Sequence, residues 1–249
     1  MISIMGKNGS KAVKQLLNST KLNKLTPKCK TIVNYGLSGI NLQNKYSKFP
    51  FITSKHIINK IIGYSKYYVL QVAKNNNVLI PKTYIKLPLT EKLDDYLIKK
   101  YYSIGGKGIK IAESRKELYE HYYQKYIKNR SYEIRVHAFK WLPKNLWVIQ
   151  KRIGNENIIA WNFHNGGRFQ NIYNQNLDIY NTARDTTDKI LSLLDMSFGA
   201  SDFIISTDNK LYFLEINSAP GFTDFSKNIY IKAFMELTKL SLTSLLTLK

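Results

Sequence analysis

A strand-like segment, LYFLEINSAPGF at residues 211–222, ends on an acid and an amide. Side chains alternate between the two faces of a strand, so Glu215 and Asn217 are predicted to project from one face, together with Phe213. Asp202 opens the preceding strand of a predicted hairpin, where its carboxylate can come alongside. Two carboxylates and a carboxamide oxygen form the hard donor set that Mg²⁺ prefers. The pattern predicts a metal site, although an acid and an amide at a strand end are by themselves more typical of a turn cap.

A glycine-rich turn separates two predicted strands in the segment IKKYYSIGGKGIKI. Glycines let a backbone approach a ligand closely and present N–H groups to phosphate oxygens. Lys99 lies on the strand before the turn and Lys107 within it, and the glycines are Gly105, Gly106 and Gly108. The spacing is not that of a P-loop, because Lys107 is followed by Gly where that motif has Ser or Thr. The turn predicts a phosphate-binding loop, with an ordinary flexible turn as the alternative.

Arginine is rare in this chain, which has six Arg and 32 Lys. A guanidinium offers a planar fork that binds phosphate or carboxylate in two places, and lysine cannot replace it there. Arg135 and Arg152 lie on neighbouring predicted strands, SYEIRVHAF and LWVIQKRI. The pair predicts an anion-binding position, with ordinary surface charge as the alternative.

The residues around these groups predict an α+β fold with at least one antiparallel sheet. Residues 1–30 are predicted to be either partly helical, over KAVKQLL, or loose, and KTIVNYGLSG to be a buried strand before a turn. Residues 53–77 are predicted to form one helix with Ser54 as its cap. The segment SRKELYEHYYQKYI is predicted to begin as a helix capped by Ser114 and to run into a strand.

The second half of the chain predicts alternating strands and helices. SYEIRVHAF, LWVIQKRI and NIIAWNF are predicted to be successive strands, and NTARDTTDKILSLLDMS a helix with one apolar face. SDFIISTDNKLYFLEIN is predicted to form a hairpin, and YIKAFMELTKLSLTSLLTLK a closing amphipathic helix.

Positive charge is concentrated at the start of the chain. The formal net charge is +21, and residues 1–90 contain 15 Lys with no Asp or Glu before Glu91. Such a basic third could bind nucleic acid, anionic lipid or an acidic polypeptide. Solvated lysines without a partner are the alternative, because Lys, Asn, Ile and Tyr are all abundant, as AT-rich codons produce.

The sequence carries no sign of a membrane or secreted protein. No apolar run approaches the ~20 residues that cross a bilayer, and the first residues lack the apolar region of a signal peptide. The single Cys29 cannot form an internal disulfide, which favours a reducing compartment. A cytoplasmic location is predicted, which would be the host cytoplasm for a viral protein, with no membrane partner.

Taken in order, these segments resemble the ATP-grasp enzymes. DFIIS followed by LYFLEINSAPGF is similar to that family's metal-binding end, and YLIKKYYSIGGKGIKI to its mobile loop over the phosphates. YYQKYIKNRSYEIRVHAF resembles its adenine-binding hinge, and NIIAWNFHNGGRF the Asn and Gly-Gly segment of the RimK-type amino-acid ligases. The likeness covers residues 30–230. The nearest group is the short ATP-grasp proteins of bacteriophages and large viruses.

The resemblance implies a role for each matching residue. Metal ligands to Mg²⁺, or to Mn²⁺ as a substitute, would be Asp202, Glu215 and Asn217. The residues that contact ATP would be Lys99, Gly105, Gly106, Lys107, Gly108, Lys125, Tyr126, Ile127 and Asn162. The residues that face the γ-phosphate or an acyl phosphate would be Arg135, Lys151 and Arg152. The chain departs from the pattern where Ala160 and Trp161 replace an Arg, and where Gln124 replaces a Glu before the hinge.

The resemblance also implies a domain plan and a reaction. Residues 1–88 would be a basic pre-ATP-grasp α/β domain, residues 89–130 the lid subdomain and residues 131–249 the metal-binding subdomain, the last two gripping ATP between them. The implied reaction is ATP-dependent carboxylate–amine ligation through an acyl phosphate, on small-molecule or peptide substrates. Two alternatives are an ATP-grasp kinase or phosphotransferase, and a nucleic-acid-binding protein with a vestigial ATP site.

Overall fold

The computed structural model describes residues 1–60, 62–103, 108–155, 158–159, 161, 167–172 and 177–240. Four residues that the sequence analysis assigns to nucleotide binding lie outside this part of the chain: Gly105, Gly106, Lys107 and Asn162. The described part forms three β-sheets with α-helices packed against them, which confirms the α+β class. None of its helices combines the length and the apolar character needed to span a membrane.

The first sheet is parallel and three-stranded, in the order β1-β2-β3. Its strands and helices are β1 (Ile2–Gly6), α1 (Lys11–Ser19), β2 (Thr31–Tyr35), α2 (Gly39–Lys48) and β3 (His56–Ile58). Parallel neighbours need a crossover connection, and the two helices provide it. The expectation of a loose start is wrong for Ile2–Gly6, where every residue is buried. A fully buried strand of five residues shows no alternation that would reveal it.

The helix predicted over residues 53–77 is divided into a strand and a shorter helix. His56–Ile58 pairs with β2, and α3 (Lys66–Asn75) begins only after Gly63, whose φ of 91° a helix cannot contain. Ser65 is the cap, because its side chain accepts a hydrogen bond from the Tyr68 N–H at 3.1 Å. The prediction of Ser54 as the cap is therefore wrong.

The second sheet is antiparallel and four-stranded, in the order β4-β7-β5-β6. Its strands are β4 (Thr83–Tyr84), β5 (Tyr96–Lys100), β6 (Lys110–Ile111) and β7 (His121–Lys125). The two strands predicted on either side of the glycines are confirmed by the β5–β6 pairing. The predicted helix after Ser114 is wrong. Its backbone carbonyls at Ser114 and Lys116 accept hydrogen bonds from the Tyr123 hydroxyl, at 2.9 and 2.6 Å.

The third sheet is antiparallel and five-stranded, in the order β10-β9-β8-β11-β12. Its strands are β8 (Arg130–Phe139), β9 (Val148–Ile153), β10 (Arg168–Asn171), β11 (Phe198–Ser206) and β12 (Leu211–Asn217). The remaining helices are α4 (Asp178–Leu193) and α5 (Asp224–Lys239), with 3₁₀ turns at Pro50–Ser54, Leu93–Asp95 and Lys144–Leu146. The strand predicted over NIIAWNF is wrong at its described residues, Ile158, Ile159 and Trp161, which belong to no strand.

Two apolar clusters hold these layers together. One side of the five-stranded sheet, with Val136 and Phe203, packs on α3 and α4 through Leu70 and Ile190. A second cluster joins Tyr35 of β2 and other residues of the first sheet to the aromatic residues of α5. The three-stranded sheet is thereby packed against the rest of the chain.

A buried asparagine connects the first sheet to the third. Asn59 follows β3, and its Oδ1 accepts hydrogen bonds from the N–H groups of Ser197 and Phe198, at 2.7 and 3.3 Å. Its Nδ2 donates to the Phe198 carbonyl at 3.0 Å. The residue has a φ of 56°, a left-handed conformation that Asn tolerates better than most residues.

Replacing Asn59 by Ala should lower the free energy of unfolding by about 2–4 kcal/mol, because two buried N–H groups and one carbonyl lose their partner. Asn77→Ala is the matched control, since Asn77 is exposed and has a φ of 58°. It carries only the left-handed cost of about 1 kcal/mol. Urea unfolding of both variants measures the difference. Equal losses in the two would show that the hydrogen bonds of Asn59 contribute nothing.

The sheets suggest where domains divide, and the predicted boundaries stay predictions. The first sheet uses residues 2–58, the second residues 83–125 and the third residues 130–217. The strand Thr83–Tyr84 pairs with β7, so it belongs to the second sheet although it precedes the predicted boundary at residue 88.

Candidate functional site

The two acids predicted to bind metal lie directly opposite each other on neighbouring strands. Asp202 of β11 pairs in register with Glu215 of β12, and Ala200 pairs with Asn217. The register shifts between Asp202 and Phe203, whose partner is Phe213. The bulge places Phe213 in the core and Glu215 on the other face, so the prediction that these two share a face is wrong.

A guanidinium holds Asp202 from the adjacent strand. Arg135 of β8 is the register partner of Asp202 on its other side. It donates through Nε to Oδ1 at 2.6 Å and through Nη2 to Oδ2 at 2.7 Å. Burial opposes ionisation of the carboxyl, but Arg135 and Arg152 outweigh it and lower the pKa of Asp202 to about 2. Asp202 is therefore an anion at neutral pH.

A second buried acid lies between two arginines. Glu133 of β8 is 5% exposed and accepts hydrogen bonds from Arg130 and Arg152, both at 2.8 Å. Arg152 also approaches Asp202 at 3.6 Å, and its Nε is buried without a hydrogen-bond partner among the described residues. The ring of Phe169 lies against Arg152 and Arg135, with centroid distances of 4.8 and 5.5 Å. The ring of Phe169 and the carboxylate of Asp202 both contact Arg135 and Arg152, and they thus hold these two arginines side by side.

Glu215 has a lysine partner that the sequence analysis missed. Lys66, in the first turn of α3, places its Nζ 2.5 Å from Oε2 of Glu215. The Asn217 amide donates to Oε1 of the same carboxylate at 3.2 Å. Burial raises and Lys66 lowers the pKa of Glu215, and the net direction is downward. The backbone N–H of Lys66 donates to the Tyr101 carbonyl at 3.0 Å, which joins α3 to the end of β5.

Lys99 of β5 is held by Gln124 of β7, directly before the predicted hinge residues. Its Nζ donates to Gln124 Oε1 at 2.6 Å. Burial lowers the pKa of Lys99 to about 8. The negative charges of Glu215 and Glu133 oppose this shift, and the positive charges of Lys66 and Arg130 add to it. A neutral partner at residue 124 leaves the ammonium charge of Lys99 uncompensated at that contact.

The hinge residues follow β7 directly. The N–H of Lys125 donates to the Lys82 carbonyl and that of Tyr126 to the Asp95 carbonyl, both at 2.8 Å. Neither N–H is therefore available to a ligand. Ile127 is buried, and its N–H donates to no backbone carbonyl among the described residues.

Lys151 does not join the other predicted site residues. It pairs with Ile134 in the sheet, so its side chain lies on the face opposite to that of Arg135 and Arg152. Its Nζ lies 4.2 Å from the centroid of the Tyr132 ring. His137 does lie on the site's face, with Nε2 2.8 Å from Gln150 Oε1.

The imidazole of His137 has a structural setting. Burial, and then the charge of Arg135, lower the pKa of His137 to about 4. The ring is neutral at pH 7 and is hydrogen-bonded in place, which is the setting of a packing residue.

The donor set fits a small divalent cation that also binds phosphate. Mg²⁺ takes one or two carboxylates and completes its shell with phosphates and water. Asp202 and Glu215 supply two carboxylates on adjacent strands, and Asn217 an amide oxygen beside them. Among the described residues there is no group of three His, Cys, Asp or Glu that could hold a metal without such help. Lys66 is the cation that such a metal would displace from Glu215.

A scan against protein-family models matches residues 64–222 to the ATP-grasp domain. That match covers more than half of the chain and contains every described residue of the site. The chain belongs to the ATP-grasp family. No curated protein matches its sequence.

Solved structures share the fold of this ATP-grasp chain at low sequence identity. A RiPP-associated ATP-grasp ligase from Chryseobacterium gregarium, in complex with ADP and a leader and core peptide, has a TM-score of 0.64 at 14% identity, covering 96% of this chain and 97% of that one. The macrocyclase MdnC from Microcystis aeruginosa MRC, bound with precursor peptide MdnA, has 0.60 at 11%, covering 96% and 99%. N5-carboxyaminoimidazole synthetase from Staphylococcus aureus has 0.63 at 15%, covering 97% and 77%.

Three described residues of the ATP-grasp site, Lys66, Glu133 and Phe169, were not predicted from the sequence. Lys66 is one of 15 lysines in the first 90 residues, and only the packing of α3 on β12 singles it out. Glu133 could have been found, because it precedes Arg135 by two residues and therefore shares its face. Phe169 lies on β10, whereas the sequence predicted a strand over NIIAWNF, at residues 157–163.

Proposed function

We propose that this ATP-grasp chain is an ATP-dependent ligase that joins a carboxylate to an amine. The observation that carries the proposal is the register pairing of Asp202 with Glu215, beside Arg135 and Arg152. Acyl activation by ATP requires a divalent cation for the phosphates and guanidinium groups for the charge that is transferred. This arrangement supplies both on rigid strands.

The charge of the site suits a triphosphate. Five basic groups converge on three acidic ones, and the acids are Glu133, Asp202 and Glu215. The basic groups are Lys66, Lys99, Arg130, Arg135 and Arg152. The positive surplus attracts an anionic ligand before any metal is counted. When bound at the acids, Mg²⁺ would neutralise phosphate charge and make the γ-phosphorus easier to attack.

The proposed reaction has two steps. A carboxylate oxygen of the first substrate attacks the γ-phosphorus of ATP, the bond to the β-phosphate oxygen breaks, and an acyl phosphate and ADP form. The nitrogen of an amine then attacks the acyl carbon, inorganic phosphate leaves, and the amine loses a proton as the amide forms. No nucleophile on the protein takes part, so binding, alignment and exclusion of water are its tasks.

Each described residue has a proposed part in these steps. The Nε of Arg152, which has no hydrogen-bond partner among the described residues, would donate to an oxygen of the γ-phosphoryl group, and Arg135 would keep Asp202 in place for the metal. Lys66 would leave Glu215 when the metal binds and meet the phosphates instead. Lys99 would bind the α- or β-phosphate, and the N–H of Ile127, which donates to no backbone carbonyl among the described residues, would donate a hydrogen bond to a ring nitrogen of adenine.

The finer features are proposals as well. We place the substrate carboxylate on a peptide, because the structurally similar ligases include proteins in complex with leader, core and precursor peptides. Four further proposals rest on the sequence alone. They are the RimK-like character, the kinship with short phage and viral proteins, Mn²⁺ as a substitute for Mg²⁺, and the cytoplasmic location. The roles of Gly105, Gly106, Gly108, Lys107 and Asn162 remain predictions.

The product identifies the reaction. The purified chain should release ADP with Mg²⁺ and one pair from a panel of amino acids and peptides, and mass spectrometry should find an added mass equal to the amine less water. A product heavier by a phosphoryl group, without an amide, would identify the phosphotransferase alternative instead. ATP that stays intact across the panel would count against both reactions.

Lys99 predicts a pH dependence of nucleotide affinity. Only the charged ammonium binds phosphate well, and with a pKa of about 8 it is lost as the pH rises. The Kd for Mg-ATP should therefore increase by up to about 25-fold between pH 7.5 and 9.5. Titration calorimetry across this range should show the increase in Kd for the wild-type chain. Lys99→Met should bind Mg-ATP more weakly, with a Kd that hardly changes with pH. An equal slope in both proteins would mean that another group titrates.

A further inference from the structure

The first sixty residues carry side-chain charge of one sign only. They contain eleven Lys, no Arg and no Asp or Glu. Nine of these lysines are exposed, and none forms an ion pair among the described residues. Five of the nine, Lys21, Lys24, Lys28, Lys30 and Lys48, lie toward the amino ends of the strands. The other four, Lys7, Lys11, Lys14 and Lys60, follow a strand end or lie in the first turn of α1, and we name these four the lysine surface. Elsewhere in the chain, lysines and acids are interspersed and pair repeatedly.

The lysine surface adjoins the ATP site through the end of β2. The Tyr35 hydroxyl donates to the Pro220 carbonyl at 2.9 Å, three residues after Asn217. A Cβ on Gly36 would lie 2.6 Å from the Cβ of Ala219, so the two chain segments are in close contact. The carboxyl ends of the three parallel strands therefore face the loop that leaves the site. Lys7 and Lys60 lie at that edge, one residue after the end of β1 and two residues after the end of β3.

The chemistry of the lysine surface favours a polypeptide over a nucleic acid. Proteins that bind single strands stack bases on exposed aromatic rings and use Arg for phosphates and base edges. Here Arg is absent, and no aromatic residue of the first sixty is exposed. The half-buried ring of Phe49 already has the ammonium groups of Lys45 and Lys48 near it, at 5.8 and 5.7 Å. Isolated ammonium groups on a surface without stacking rings suit scattered carboxylates.

We propose that the lysine surface binds an acidic stretch of a polypeptide whose reacting carboxylate enters the adjoining ATP site. The entry of the carboxylate into the ATP site rests on the proposed ligase function, whereas the binding of the acidic stretch does not. Attraction to several lysines would raise the local concentration of the polypeptide and speed its encounter with the site. The lysine surface would bind a part of the polypeptide that does not itself react. Small substrates lack such a part and would not contact the surface.

Binding of a fluorescent polyglutamate peptide to the full chain, without ATP, tests the proposal. The variant K7Q/K11Q/K14Q/K60Q removes four exposed lysines near the site edge, and K74Q/K86Q/K92Q/K116Q removes four exposed lysines outside the first sixty residues. We expect the first variant to raise the Kd at least about tenfold and the second less than about twofold, with affinity falling as salt rises. Equal effects in the two variants, or no binding by the wild-type chain, would overturn the proposal.

A single-stranded RNA of matched charge is the competitor. Weaker binding of RNA than of polyglutamate is expected, and tighter binding that the first variant abolishes would assign the lysine surface to nucleic acid instead. Glu215→Gln should bind polyglutamate as the wild-type chain does. Ligation without polyglutamate binding would therefore refute the docking surface alone, whereas binding without any ligation would refute the proposed reaction alone.

Discussion

Glu215→Gln should reduce ATP-dependent turnover by at least about 10³-fold, because a neutral amide in place of a carboxylate removes half of the anionic charge that would hold the metal. The change keeps the size of the side chain, so β12 and its register with β11 should survive. ADP release under saturating Mg²⁺ and ATP measures the loss. Circular dichroism and the urea midpoint check that the fold is intact.

Two further variants separate the metal from the ion pair that Glu215 makes in the free protein. Glu236→Gln changes an exposed acid of α5 that pairs with Lys239, and it should leave turnover unchanged. Lys66→Met removes the partner of Glu215 but no metal donor, so it should weaken ATP binding and retain metal dependence. If Glu215→Gln kept more than half of the wild-type rate, the carboxylate would have no part in the reaction.

Glu133→Gln should destabilise the protein by about 3–5 kcal/mol, the cost typical of breaking a buried ion pair by removal of one partner. The side chains of Glu133 and Arg130 are each 6% exposed and that of Arg152 is 11% exposed. Without the carboxylate, two guanidinium groups remain buried next to each other with one acid fewer. Arg130 keeps the carbonyls of Ile158 and Ile159, whereas Arg152 keeps, among the described residues, the ring of Phe169 and a 3.6 Å approach to Asp202.

Glu113→Gln is the matched control for that prediction. It breaks the exposed pair with Lys110, whose side chains are 74% and 57% exposed, and its effect on unfolding should lie within experimental error. Urea unfolding of both variants at pH 7 gives the comparison. A midpoint for Glu133→Gln equal to that of wild type would mean that water or rearrangement compensates the two arginines, and that the buried network is not needed for stability.

The parts of the site that could be predicted from sequence lie on one hairpin and its neighbouring strand. The Asp202–Glu215 pairing follows from a turn of fixed length between two apolar runs, and Arg135 from alternation on the next strand. The hairpin bulge could not be read from the pattern, because Phe213 and Glu215 keep the spacing of a regular strand. The bulge places the Phe213 ring in the core and the Glu215 carboxylate in the site, although the two residues are only two positions apart.

The elements that were missed or misplaced depend on contacts between distant segments. β1 and β3 are too short to show a period and become strands only by pairing with β2. The segment after Ser114 has residues that favour a helix, but Arg115 donates to the Pro88 and Glu91 carbonyls and fastens it as a loop. Lys66 reaches Glu215 because α3 packs on β12, a contact between residues 149 positions apart.

The central claim is that Asp202, Glu215 and Asn217 bind one divalent cation together with ATP. Anomalous scattering from Mn²⁺, in crystals grown with a non-hydrolysable ATP analogue, locates the cation without assuming any role for a residue. The account predicts a peak about 2.0–2.3 Å from oxygens of all three side chains and of the phosphates, with Lys66 moved away from Glu215. A bound nucleotide whose Mn²⁺ lies elsewhere, with Lys66 still paired to Glu215, would contradict it.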